Sequence, residues 1–202
     1  GLRLRARHEP STCGPKALTP PATAGKKDLW TPVWLMVAIL LRLGLALKFD
    51  GRFHQIDELA YDTYAWQLAS QGVLGSQGLA LAVPVVPNAF FALFYLFGHH
   101  LILPRLGQAL ISALTAWVIG RMTRELTGSE RAGRLALAIS AVYPFFIYYS
   151  AILMAETLYV ACVVSGLWWL CASLRDPGAA RWRPAAAGAA LALAALCRPE
   201  GF

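Results

Sequence analysis

The sequence predicts an all-α fold, a polytopic membrane helical bundle with an outer-face loop that carries interfacial helices. Three observations lead there. The 202 residues are 57% hydrophobic and 14% charged, against about a quarter charged in globular chains. The deficit is concentrated in long uncharged runs, and a bilayer-spanning helix needs roughly 20 apolar residues. The lysines and arginines sit between these runs, where they set membrane orientation. A water-facing fold has no way to hide helices that are apolar on every side. The net charge of +7 does not indicate nucleic acid, because no basic face interleaved with aromatics accompanies it.

Taken in order, residues 1–28 read as a disordered, basic, cytoplasmic tail. Pro10, Pro15, Pro20 and Pro21 interrupt any helix there, and little of it is apolar. The rest, 29–202, reads as a transmembrane domain with spans near 29–48, 104–122, 135–155, 157–174 and 184–200 and an outer loop over 49–103. Arg42 lies within the first span, where a charge must face protein or water; snorkelling or a structural pairing is the plainer reading. The run from Leu79 to Phe97 contains Pro84, Pro87 and Asn88. Those residues predict an interfacial or re-entrant segment, because broken backbone survives at membrane depth only when it is covered. From Leu135 to Leu174 the one charged residue is Glu156, expected at the tip of a hairpin between two spans. The chain starts with Gly and ends abruptly after Arg198-Pro199-Glu200-Gly201-Phe202, so the N-terminal part of a longer protein is expected. There is no internal repeat and no heptad pattern. Cys13, Cys162, Cys171 and Cys197 form no CxxC pair, which argues against a disulfide framework or a zinc site.

With the N terminus inside and Leu79 to Phe97 in the interface, the Arg121 to Arg134 and Arg175 to Arg183 clusters both fall on the cytoplasmic side, as basic clusters prefer. Asp57, Glu58, Asp62, Glu156 and Glu200 then face out, with Arg52, His54, His99, His100, Arg105 and Arg198. A helix starting at Asp57 is predicted, since acids favour a first turn, and Gly72 is a natural stop. From spacing alone, a helix cap is the plainer reading of Asp57 than a catalytic group.

The loop reads Asp57-Glu58-x-x-Tyr61 ahead of Ala65-x-x-Leu68-Ala69-x-x-Gly72. It follows a span that carries an Arg. Gly120-Arg121, Tyr143-Pro144 ahead of Ala155-Glu156, and Cys197-Arg198-Pro199-Glu200-Gly201 come after it in order. Together they resemble the protein O-mannosyltransferase and lipid A aminoarabinose transferase group of GT-C glycosyltransferases. The likeness covers nearly everything after the tail. It departs at Val83-Pro84-Val85-Val86-Pro87-Asn88, where many members carry a Pro-Pro-Leu-Tyr-like stretch.

The resemblance implies an enzyme of a bacterial plasma membrane, with a cytoplasmic N terminus. It would move a hexosyl or pentosyl group from a polyprenyl-phosphate donor to a glycan, lipid or protein acceptor at the outer face. The fragment alone is expected to be inactive. Asp57 matches the family's loop carboxylate and is the candidate general base. Glu58 is the second catalytic candidate, positioning the acceptor or a cation. Arg52, His54, Tyr61, Arg105 and Glu156 are substrate-binding candidates, and His99-His100 could add positive charge for the departing phosphate. No metal ligands are identified, although a divalent cation is left open. Membrane lipids are the other expected partners. A transporter would place acids or broken helices near the bilayer midplane. A noncatalytic assembly protein would need no acidic outer helix.

Overall fold

The structure, a computed structural model, describes residues 29–49, 51–74, 84–175 and 182–198. The expected tail, the first residues of the Leu79 to Phe97 run, Arg181 and the closing Pro199-Glu200-Gly201 lie outside the described residues. Among the described residues there are eight helices and no strand. They are α1 (Trp30–Lys48), α2 (Ile56–Gln71), α3 (Val85–Tyr95), α4 (Ile102–Thr127), α5 (Glu130–Val142), α6 (Pro144–Ser150), α7 (Glu156–Arg175) and α8 (Trp182–Cys197). Helices α1, α4 and α7 are long and apolar enough to cross a membrane, and the chain is a helical membrane protein.

Helix α4 is the central element, packing against α1, α5 and α7, while α7 and α8 form a hairpin. Ala38, Ala113 and Ala141 meet where α1, α4 and α5 converge, with Trp34 and Ile39 against them. Small residues bring the backbones close, as suits helix packing in lipid. On its other side α1 exposes Val33, Met36, Leu40 and Leu47, a surface that matches acyl chains. Where α4 and α5 cross, a Cβ added to Gly133 would come within 2.7 Å of the Arg124 Cβ and 2.8 Å of the Gly120 carbonyl.

Helix α3 has 11 residues, a rise of about 16 Å, roughly half the hydrocarbon thickness. It packs on α2, and Ala65, Phe91, Tyr95 and Leu153 form their shared core.

The expected continuous span over 135–155 is not one helix. Helices α5 and α6 bend by 52° at their junction. Tyr143 is extended, with φ −64° and ψ 116°, as the residue before Pro144 is driven to be. Residues 151–155 then run without helix, all of them buried. Glu156 begins α7 rather than capping an exposed tip, and its side chain is largely covered.

This break explains the buried Arg42. In a continuous helix the Ser140 carbonyl would accept from the N–H of residue 144, and proline has none. Arg42 supplies the missing donors: Nη2 donates to the Ser140 carbonyl at 3.0 Å and Nη1 to the Ala141 carbonyl at 2.8 Å. Nη1 also donates to the Ala38 carbonyl at 3.0 Å, and Nε to Ser112 Oγ at 2.8 Å. A cation at a helix C-terminus is favoured by the helix dipole as well. Arg42→Leu should therefore lower unfolding stability in detergent by at least about 3 kcal/mol, since each orphaned buried group costs about 1–3 kcal/mol. Arg42→Lys should recover only part, because one ammonium does not reproduce the planar fork. Wild-type unfolding midpoints for both variants would refute the capping role.

Candidate functional site: the buried carboxylate and the helix after the first span

Helix α2 starts where the sequence suggests, with Asp57 and Glu58 in its first turn, and stops at Gly72 in the left-handed conformation at φ +69°. The two acids have opposite fates. Asp57 is exposed, and Glu58 is completely buried.

Glu58 reaches back to accept from the His54 N–H through Oε2 at 2.6 Å. This resembles a capping box displaced by one residue. Its Oε1 accepts from the Leu153 N–H at 2.8 Å and pairs with Arg105 Nη2 at 3.0 Å. Arg105 is also fully buried. It further donates to the Arg52 carbonyl at 2.7 Å and to the Phe49 carbonyl. Phe49 is the C-cap of α1, so Arg105 caps that helix as Arg42 caps α5. One ion pair thus ties the end of α1, the loop, the start of α2, the first turn of α4 and the break after α6.

The other candidates surround this pair without all joining it. Arg52 and His54 contribute backbone atoms to it, and the Arg52 side chain is exposed. The His54 ring stacks on Phe49 at 3.7 Å. Tyr61 packs edge-on against Phe91. Glu156 lies in a separate niche lined by Ser112, Thr115, Tyr149 and Thr157. Its Oε1 is 3.7 Å from Arg198 Nη1.

A second constellation was not singled out from the sequence. Asp62, one turn after Glu58, is buried. Its Oδ1 accepts from the Tyr95 hydroxyl at 2.5 Å and contacts His99 Nε2 at 2.9 Å. Trp66 stacks on the His99 ring at 4.6 Å. Burial, then the hydrogen bond to Asp62, pushes the Tyr95 pKa up, so this hydroxyl stays a donor to the carboxylate. Asp62, His99, His100, Gly51 and Phe53 line an open depression of about 400 Å³. The available signal was the spacing of Glu58, Asp62 and Ala65, which share one helix face. The burial of Asp62 and Ala65 depends on α3, which packs Tyr95 and Phe91 against them, and the sequence does not show that.

Among the described residues no three His, Cys, Asp or Glu side chains are grouped to hold a metal. Cys162, Cys171 and Cys197 are free thiols.

The Glu58–Arg105 pair should show coupling. Glu58→Gln and Arg105→Gln should each destabilise by about 3–5 kcal/mol, because each leaves a buried charge without its partner. The double variant should cost clearly less than their sum, by roughly 0.5–3 kcal/mol. Additive losses in a denaturant-unfolding cycle would show that the two residues act independently.

No characterised protein and no solved structure matches the chain. Residues 82–202 match the family described as dolichyl-phosphate-mannose-protein mannosyltransferase. The matched region includes Tyr95, His99, Arg105, Glu156 and Arg198, while Asp57 and Glu58 precede it. More than half of the sequence is covered, and the chain belongs to this GT-C family of membrane glycosyltransferases, which take their sugar from a polyprenyl-phosphate donor.

Proposed function

We propose that this chain carries the acceptor-activating part of a glycosyl transfer at the outer membrane face, with Asp57 as the general base. The observation that supports it most is the Glu58–Arg105 clamp. It fixes the first turn of α2 and leaves Asp57, the residue just before Glu58, open to an incoming acceptor. In this reading Glu58 is a positioning residue. Its hydrogen bonds to the His54 and Leu153 N–H groups and its pair with Arg105 occupy it fully enough to act through the loop rather than on substrate. Arg105 has the same role.

The transfer balances as a single displacement. Asp57 takes the proton of the acceptor hydroxyl as its oxygen attacks the anomeric carbon. The bond from that carbon to the phosphate oxygen breaks, and polyprenyl phosphate leaves with the electron pair. The leaving group needs positive partners, for which Arg52, His54, His99 and His100 are placed around the loop and depression. The acceptor can be glycan, lipid or protein.

Topology supports the placement. Arg105 and Arg124 are separated by roughly 28 Å along α4, close to the hydrocarbon thickness. The Asp57 loop and the Arg121 to Arg134 cluster therefore lie at opposite membrane faces. Basic segments favour the cytoplasm, which puts the N terminus inside and Asp57 outside. A cysteine introduced at position 57 should be labelled from outside intact cells by an impermeant thiol reagent, and one at position 128 should not. The reverse pattern would overturn the orientation.

A second reading assigns the base to Asp62, because it lines the depression beside His99. One pair of variants in the full-length protein separates the two. Asp57→Asn should reduce transfer on the order of a hundredfold or more with normal insertion, because Asn caps a helix as well as Asp but accepts no proton. Asp62→Asn should then cost much less. Transfer from a polyprenyl-phosphate sugar in isolated membranes is the assay. Near-normal turnover by Asp57→Asn, with loss in Asp62→Asn, would move the base to Asp62.

A further inference from the structure

A second polar pocket lies at the opposite end of α4. It has a volume of about 350 Å³ and is lined by Thr31 and Pro32 of α1, Trp117, Arg121 and Arg124 of α4, and Glu130 and Arg134 of α5. Three arginines face one carboxylate across this lining. Arg124 pairs with Glu130 at 2.5 Å, and Arg121 lies 3.9 Å from Glu125, a pair in which both side chains are well exposed. Arg121 also sits 5.7 Å from the centre of the Trp117 ring. The close Gly120–Gly133 crossing brings the arginines of two helices to one opening.

The pocket's surroundings define its ligand further. Val33 and Met36 of α1 and Leu135 and Ile139 of α5 are exposed along the helices that lead away from it. A cationic cup that opens onto apolar helix faces suits an amphipathic anion. We propose that this pocket binds the phosphate headgroup of an anionic membrane lipid, its acyl chains lying along α1 and α5. Basic pockets between membrane helices bind such headgroups through charge-assisted hydrogen bonds. Trp117, one turn before Arg121 on α4 and within 5.7 Å of its guanidinium, is of the residue type enriched at the headgroup level. This assignment is independent of the identity of the catalytic base.

The test uses the full-length protein in phosphatidylcholine-containing micelles titrated with phosphatidylglycerol. The unfolding midpoint should rise with the anionic lipid and saturate. In Arg121→Gln/Arg134→Gln the apparent affinity should fall at least tenfold. Arg131→Gln, an exposed arginine outside the lining, removes one charge and should leave the affinity within twofold of wild type. Inorganic phosphate at the same concentration should give no shift. In the unmodified protein, a photo-crosslinkable phosphatidylglycerol should attach near Thr31–Pro32 and within residues 117–139. Crosslinks elsewhere would overturn the proposal, even if the double variant failed to fold. Equal weakening by Arg131→Gln would reduce the effect to general charge. An equal shift with inorganic phosphate would assign the pocket to a soluble anion instead of a lipid.

Discussion

No backbone polar group can be left unpaired inside a bilayer, and this constraint organises the bundle. Pro144 breaks the apolar pair α5 and α6, which bend by 52°, and the freed groups find partners from other helices. Arg42 of α1 takes the end of α5, and Ser112 of α4 donates to the Phe146 carbonyl at 3.2 Å. Gln108 of α4 donates to the Met154 carbonyl at 2.8 Å, and Thr157 of α7 to the Tyr149 carbonyl at 2.9 Å. The buried Leu153 N–H of the break donates to Glu58. The polar residues inside the membrane domain are therefore placed largely by one helix break.

The same break sets the geometry of the loop that leads into α2. Glu58 is held from three directions, by its own loop, by α4 through Arg105 and by the segment after α6. A buried ion pair of this kind adds little net stability over an apolar alternative, since desolvation offsets most of the attraction. What it adds is position. Slippage of α2 by one residue would place Leu59 opposite Arg105 and leave a buried cation unmatched, or place there Asp57, whose carboxylate is one methylene shorter in reach. The register of α2, and with it the direction of Asp57, follows from the pair.

Much of this architecture was legible in the residues themselves. Long uncharged runs marked the helices of the bundle, Asp57, Glu58 and Gly72 marked the two ends of α2, and Pro84, Pro87 and Asn88 marked a short segment. The Tyr143-Pro144 pair was visible too, yet the span was read as continuous, because local signals do not say whether a proline kinks a helix or ends it. The roles of Arg42 and Glu58 were harder still. Arg42's carbonyl partners on α5 lie 98 and 99 positions away, and Glu58's donor at Leu153 lies 95 away. No periodicity within a helix encodes such a distance. The burial of Asp62, named in the sequence only among the outward-facing acids, was illegible for the same reason: only the packing of α3, with Tyr95, turns an ordinary helical acid into a buried one.

The arginines along α4 show how one residue type serves two ends of a helix. Arg105 has its charge matched in a site with no solvent, so its geometry is fixed and it is poorly suited to exchanging partners. Arg121 and Arg124 keep side chains that are nearly half exposed, paired to carboxylates that are similarly exposed. Pairs of that kind are worth roughly 0–1 kcal/mol, so a phosphate arriving with several hydrogen bonds can displace them at little cost. Burial thus makes the arginine at one end a structural anchor. Exposure makes those at the other end available to a ligand. The difference arises from what each turn of α4 packs against, not from the side chain itself.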